Sequence, residues 1–203
     1  MKARQTGSRH PLLLYARVMD RLWRSTLVLG TLLLAIWGYT WWYGRDLLHG
    51  QEEAWLLLGA AVVLVFTLFA FFARRMAYVQ PRRDHLRLVT PFLRTNISYR
   101  RVIATHPSEF AQIYPPKEAT WAQRRLLEPL YAKTAIVVEL SSYPMPPALL
   151  RFFLAPQMFY RRSKGIVLLV PDWMAFSTEI DSLIGAWQQI QKQRNRPLPG
   201  SMR

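Results

Sequence analysis

The chain of 203 residues contains no cysteine. That excludes disulfides, thiolate-bound zinc and thiol redox chemistry, and it leaves the compartment open, because a reducing cytosol merely permits such a composition. Histidine is sparse too, with His10, His49, His85 and His106 scattered along the sequence. The patterns HExxH, GxSxG, GxxxxGK[ST] and GxGxxG are all missing, and with them the signatures of zinc proteases, serine hydrolases, P-loops and dinucleotide-binding folds. Glu139 alternates with apolar residues and reads as the solvent-facing position of a strand. Asp172 and Trp173 read as turn chemistry beside a core aromatic. No catalytic constellation is left, so a non-enzymatic protein without a cofactor or metal is expected, with an enzyme acting on membrane substrates as the least favoured alternative.

Acidic side chains are the next deficit. Twelve Asp and Glu face 27 Lys and Arg, a net charge of +15. By segment the net charge is +5 before Ser25, −2 over residues 44–53 and +12 from Arg74 onward. Between these segments lie two runs, Ser25 to Tyr43 and Ala54 to Ala73, with no Asp, Glu, Lys, Arg or His. Each matches the ~20 residues that a helix needs to cross about 30 Å of hydrocarbon. One ionisable group at the centre of such a span costs about 2.5 to 3.5 kcal/mol on insertion scales.

Lys and Arg flanking a span stay on the cytoplasmic side. Lys2, Arg4, Arg9, Arg17, Arg21 and Arg24 precede the first run, and Arg74, Arg75, Arg82 and Arg83 follow the second. The sequence therefore predicts a multi-pass protein of the cell membrane. Residues 1–24 form a basic cytoplasmic segment, 25–73 a transmembrane hairpin (spans 25–43 and 54–73) with an outer loop 44–53, and both termini are cytoplasmic. The first run ends in Trp37, Tyr39, Trp41, Trp42 and Tyr43 without a small-residue cleavage site, which marks an anchor and not a signal peptide. Trp41, Trp42, Tyr43 and Trp55 suit the outer headgroup level, and Trp23 the inner one. Neither span has the ionisable groups or repeats of a transport path. GxxxG is absent, although Gly30, Gly38 and Gly59 each permit close helix approach.

Residues 74–193 offer one soluble domain. Period-two patterning predicts strands at Met76 to Gln80, Asp84 to Thr90 and Thr95 to Thr105, with a turn at 91–94 and a bulge at Val102-Ile103. Residues 106–134 read as an insertion, with a short helix from Glu118 to Glu128 stopped by Pro129. Strands are expected again at Ala135 to Leu140, Leu149 to Leu154 and Gly165 to Val170. A final helix, Thr178 to Gln193, carries the stripe Ile180, Leu183, Ile184, Trp187 and Ile190, with Thr178 and Asp181 as its capping pair. Residues 194–203 form a polar tail. The fold class expected is α+β: a small antiparallel β-barrel plugged by a C-terminal amphipathic helix, behind a two-helix hairpin.

The stretches Ala77-Tyr78-Val79, Asp84-His85-Leu86-Arg87-Leu88 and Ile97-Ser98-Tyr99-Arg100-Arg101-Val102-Ile103, with the closing Val170-Pro171-Asp172-Trp173, together resemble the bacterial membrane-anchored proteins that carry a pleckstrin-homology-like (PH-like) domain. The likeness covers about residues 20–105 and 165–193 and departs over 106–134. It implies a PH-like barrel at a membrane, and no catalytic residue.

Cations interleaved with aromatics are the recurrent chemical theme. Arg82 and Arg83, Arg100 and Arg101, then Arg161, Arg162 and Lys164 are candidate contacts for an anionic surface, at about 1 kcal/mol each. Phe159 and Tyr160 beside the last cluster are candidate membrane-interface aromatics. The plainer alternative is solvated charge that satisfies the positive-inside rule. The partners expected are the membrane, its anionic lipids, further copies of the chain or other membrane proteins. A nucleic-acid tether is the weaker alternative: +12 suits phosphates, yet no recognition helix is evident and the last helix has only Lys192 and Arg194 at its end.

Overall fold

The computed structural model describes residues 7–43 and 51–194. Two compact units emerge. One is Tyr15–Met76; the other joins the residues up to Leu14 with those from Ala77 onward.

The first unit is a pair of helices, α1 (Leu13–Tyr43) and α2 (Gln51–Met76). Both are long and apolar enough to cross a membrane, over Leu13–Trp42 and Ala54–Met76. Small residues let the helices approach. Ala60, Ala70 and Ala73 are fully buried, and a Cβ on Gly30 would meet Leu64 Cδ2 at 3.1 Å. Gly38 and Gly59, by contrast, face open space. Thr67 donates to Thr26 across the pair at 2.8 Å. At the basal end Asp20 accepts from Arg74 (3.0 Å) and from the Trp23 indole (3.1 Å). Arg74 lies over the Phe71 ring at 4.3 Å, and Trp23 meets that ring edge-on. The expected outer loop 44–53 falls mostly outside the described residues, as does the tail beyond Arg194.

The second unit contains two sheets. Strands β1 (His10–Pro11), β2 (Tyr78–Pro81), β3 (His85–Val89) and β4 (Arg94–Ser98) form an antiparallel meander, and β5 (Val102–Glu109), β6 (Thr134–Leu140) and β7 (Gly165–Leu168) form another. In β3, Leu86 and Leu88 are buried while His85 and Arg87 are partly exposed, the alternation of a strand covered on one face. Thr90 and Leu93 exchange backbone hydrogen bonds to close the β3–β4 turn. In β6, Ala135 to Val138 are all buried, as in a strand covered on both faces.

The expected PH-like barrel does not form. Both sheets are open and neither is strongly curled. The predicted third strand is cut after Ser98 by a 3-10 turn at Tyr99–Arg101, so β4 and β5 belong to different sheets. Burial drives the cut. The Tyr99 ring is buried and its hydroxyl donates to the Arg82 carbonyl at 2.6 Å, which pins the turn. The register then shifts between Val102 and Ala104, at the anticipated bulge.

Three further expectations change. The stretch Leu149 to Leu154 is not a strand: α5 (Pro147–Phe153) occupies it, with Pro147 at the first turn, where its missing N–H is harmless. Within 106–134, β5 runs on through Pro107 to Glu109, which an edge strand tolerates. There follow α3 (Phe110–Ile113) and α4 (Trp121–Tyr131), the latter held by a Thr120–Gln123 capping box and continuing past Pro129. The last helix, α6 (Trp173–Arg194), starts earlier than expected because Asp172 accepts from the Ala175 N–H at 2.9 Å. Thr178 lies inside it and bonds back to the Met174 carbonyl.

Helix α6 packs on β5 and β6 of one sheet and on β2 of the other. Phe176 and Ile180 are fully buried there, whereas Trp187 is half-buried and Ile190 exposed. Strand β1 comes from before the hairpin. Its neighbour Leu12 donates to Ala77 at 3.1 Å, and Leu13 donates to Leu169 at 2.9 Å. The hairpin is thus inserted in the sequence between two adjacent antiparallel strands of one sheet.

Candidate functional site

The strongest polar constellation joins the 156–164 loop to the 106–134 segment. Phe159 bridges to Ile166, and Tyr160 donates its N–H to the Gly165 carbonyl at 3.0 Å, which folds residues 160–165 into a tight turn. Space is tight at its end, since a Cβ on Gly165 would lie 3.0 Å from the Val138 carbonyl oxygen. The turn holds Arg161, Arg162, Ser163 and Lys164 in solvent. Opposite it, Tyr114 follows α3 and donates its hydroxyl to the Pro156 carbonyl at 2.6 Å. The Arg161 guanidinium stacks over Tyr114 at 4.7 Å and pairs with Glu118. Between these elements lies a cleft of about 200 Å³, lined among others by Ser108, Gln112, Glu118, Tyr160, Arg161 and Arg162.

The other predicted cations do not join this cleft. Arg101 is spent on the fold, donating to the Tyr143 carbonyl at 3.0 Å. Arg82 is partly buried in the β2–β3 turn, and its Nε is buried without a partner. Burial, with Arg82 and Arg87 nearby, lowers the His85 pKa against the opposing pull of Asp84. Arg83 and Arg100 are exposed at the same end of the first sheet, where β2 turns into β3 and β4 finishes beside it.

The predicted interface aromatics divide. Trp41, Trp42 and Trp55 are exposed on the hairpin at 70% or more, while Trp23 is partly buried against Phe71. Tyr43 ends α1, and its side chain is outside the described set. Phe159 and Tyr160, expected to project, are instead half-buried: Phe159 meets Tyr143 edge-on, and Tyr160 meets His106. Among the described residues of the second unit the most exposed aromatics are Phe152 (82%) and Trp121 (73%), with Phe92 also exposed.

A second polar cluster was not foreseen. Glu179 on α6 accepts from the Ser8 N–H (2.8 Å), the Ser8 hydroxyl (2.8 Å) and His10 Nε2 (2.9 Å). Burial pushes the Glu179 carboxyl up, but the bonds from His10 and Ser8 outweigh it and hold the pKa below the usual glutamate value. The residue types are those of a hydrolase triad, but the wiring is not. Ser8 and Glu179 both sit on the same imidazole nitrogen, so the histidine cannot pass a proton from the serine on one side while the acid orients it from the other. The cluster is a clasp that ties the N-terminal strand to α6. Among the described residues no group of histidines and carboxylates is arranged to hold a metal.

No family model, no curated protein and no solved structure matches this chain. The functional reading therefore rests on its own residues.

Proposed function

We propose that the chain is a non-enzymatic, two-span protein of the cytoplasmic membrane whose second unit faces the cytoplasm and binds anionic groups at the inner leaflet. The observation that carries this reading is the pairing of two spans free of ionisable residues with a segment of net charge +12 from Arg74 onward. Positive charge beside a span selects the cytoplasmic side, and each cation near an anionic leaflet adds about 1 kcal/mol of attraction. Arg83, Arg100, Arg162 and Lys164 are exposed, so they are available for that attraction.

The absence of cysteine makes the test clean, because single Gly50→Cys and Met202→Cys variants have no background thiol. In intact cells an impermeant maleimide should label the first and spare the second. Labelling of the second would overturn the topology. The full chain in nanodiscs should also show slower amide exchange over residues 161–164 with anionic lipid than with phosphatidylcholine alone. Equal exchange in both would overturn the binding role.

A further inference from the structure

We infer that the cleft between the 160–165 turn and the 114–118 segment is a binding site for a doubly charged phosphate group, with Glu118 as a built-in competitor that holds Arg161 while the site is vacant. The inference deepens the anionic-surface reading above and rests on it for the source of the ligand, but not for the chemistry of the cleft.

Size comes first. Pockets for drug-sized ligands run to about 300–1,000 Å³, and this cleft, at about 200 Å³, suits a single small polar group. Four of its lining residues, Arg161, Arg162, Ser108 and Tyr160, carry side-chain donors of the kind phosphate accepts. Lys164 stands two residues beyond Arg162 on the same turn. Arginine forks grip phosphate oxygens in pairs, whereas lysine adds a point charge. Two arginines against one carboxylate line the cleft, a net positive balance that favours an anion such as a phosphomonoester, which carries a charge of about −1.5 to −2 near neutrality.

Preorganisation comes next. Arg161 does not wave freely in solvent. Its guanidinium carbon lies 4.7 Å over the Tyr114 ring, and Tyr114 is itself fixed through its hydroxyl to Pro156. The cation is therefore in place before any ligand arrives, which spares the cost of ordering a long side chain on binding.

Glu118 is the unexpected part. A carboxylate offers a phosphate only repulsion, yet it lines the cleft and pairs with Arg161. Both partners are more than half exposed, at 55% and 57%. An exposed pair of this sort is weak, so a dianion that engages Arg161 and Arg162 together displaces it. The consequence runs against intuition: removing a charged residue from the site should strengthen binding.

The test uses the full chain in a neutral detergent, with inorganic phosphate and short-chain phosphatidic acid as probes and short-chain phosphatidylcholine as control, read by calorimetry. Glu118→Gln should tighten phosphate binding about three- to fivefold, the reach of a weak exposed ion pair. Arg162→Gln should weaken it about tenfold, the loss of one charge-assisted contact. Phosphatidic acid binding more tightly than inorganic phosphate assigns the site to lipid headgroups; equal binding assigns it to a soluble phosphoester. Phosphate binding that Glu118→Gln leaves unchanged or weakens overturns the inference, as does the absence of phosphate binding. The two readings separate cleanly. If anionic nanodiscs still protect residues 161–164 while both variants behave as wild type, the cleft inference falls and the surface reading stands. If phosphate binds as described but nanodisc lipid has no effect, the surface reading falls alone.

Discussion

Glu179→Gln isolates the clasp between the N-terminal strand and α6. The substitution keeps the side chain's volume but removes its charge, and it presents an NH₂ group to three donors. In the native clasp those donors are the Ser8 N–H and hydroxyl, both at 2.8 Å, and His10 Nε2 at 2.9 Å. A hydrogen bond to a charged group contributes about 1.5–3 kcal/mol, and a neutral one about 0.5–1.5. The glutamate side chain retains 25% exposure, which dilutes the charge advantage. One carbonyl oxygen remains to accept a bond, so the expected loss is about 1–2 kcal/mol of local stability. That corresponds to roughly tenfold more frequent opening of the strand. Hydrogen exchange at Ser8, Leu12 and Leu13 reads this directly, since their amides bond to Glu179, Ala77 and Leu169. The pH dependence has a definite sign. Because Glu179's folded pKa lies below its ordinary 4.5, its contribution is present above that value and is lost as the pH falls through the folded one. After correction for intrinsic exchange, protection of these amides should fall on acidification through that range in the wild type and much less in Glu179→Gln. Wild-type exchange rates in the variant would refute the clasp.

Two further outcomes follow from the same packing. Gly7→Ala should loosen the strand as strongly as Glu179→Gln in the same exchange experiment, because its Cβ would collide with the Glu179 carboxylate and lie 2.8 Å from the Pro81 carbonyl oxygen. Phe176→Ala empties a fully buried site against His10 and should cost about 3–5 kcal/mol, read as a lower thermal midpoint in detergent, while half-buried Trp187→Ala costs about half as much; the reverse order would show that the distal part of α6 carries the packing.

Local pattern made much of the fold legible. Strands β2 to β4 follow one another through short turns, so alternation such as Leu86, Leu88 against His85, Arg87 shows in a short window. Strand β1 left no such trace. It is two residues long and is separated from its partner by the whole hairpin, so neither periodicity nor turn chemistry points to it. The barrel expectation failed at Tyr99 for a related reason. A tyrosine in an alternating run fits a continuing strand equally well, and only the long-range bond to the Arg82 carbonyl shows that the chain turns there. At Leu149 to Leu154 the apolar run is ambiguous between strand and helix, and the Pro146-Pro147 pair before it is the helix-start signal.

The candidate site was half legible, and the missing half decides its chemistry. Arg161, Arg162 and Lys164 announce themselves as a cluster, but charge in a sequence has no direction. Tyr114 and Glu118, which determine how Arg161 is held, arrive from a segment some forty residues earlier that reads as an insertion. Phe159 and Tyr160 show the converse problem. An aromatic next to a cation has the same spelling whether it projects into a leaflet or packs inward. Here both rings pack inward, against Tyr143 and His106, because the bridge from Phe159 to Ile166 and the bond from Tyr160 to Gly165 fold them against β7. What the inward turn of these rings leaves in solvent is the cationic tip of the loop. Under the anion-binding proposal that tip would act by charge and hydrogen bonding, with neither Phe159 nor Tyr160 placed to insert into hydrocarbon, so such binding should weaken steeply with salt.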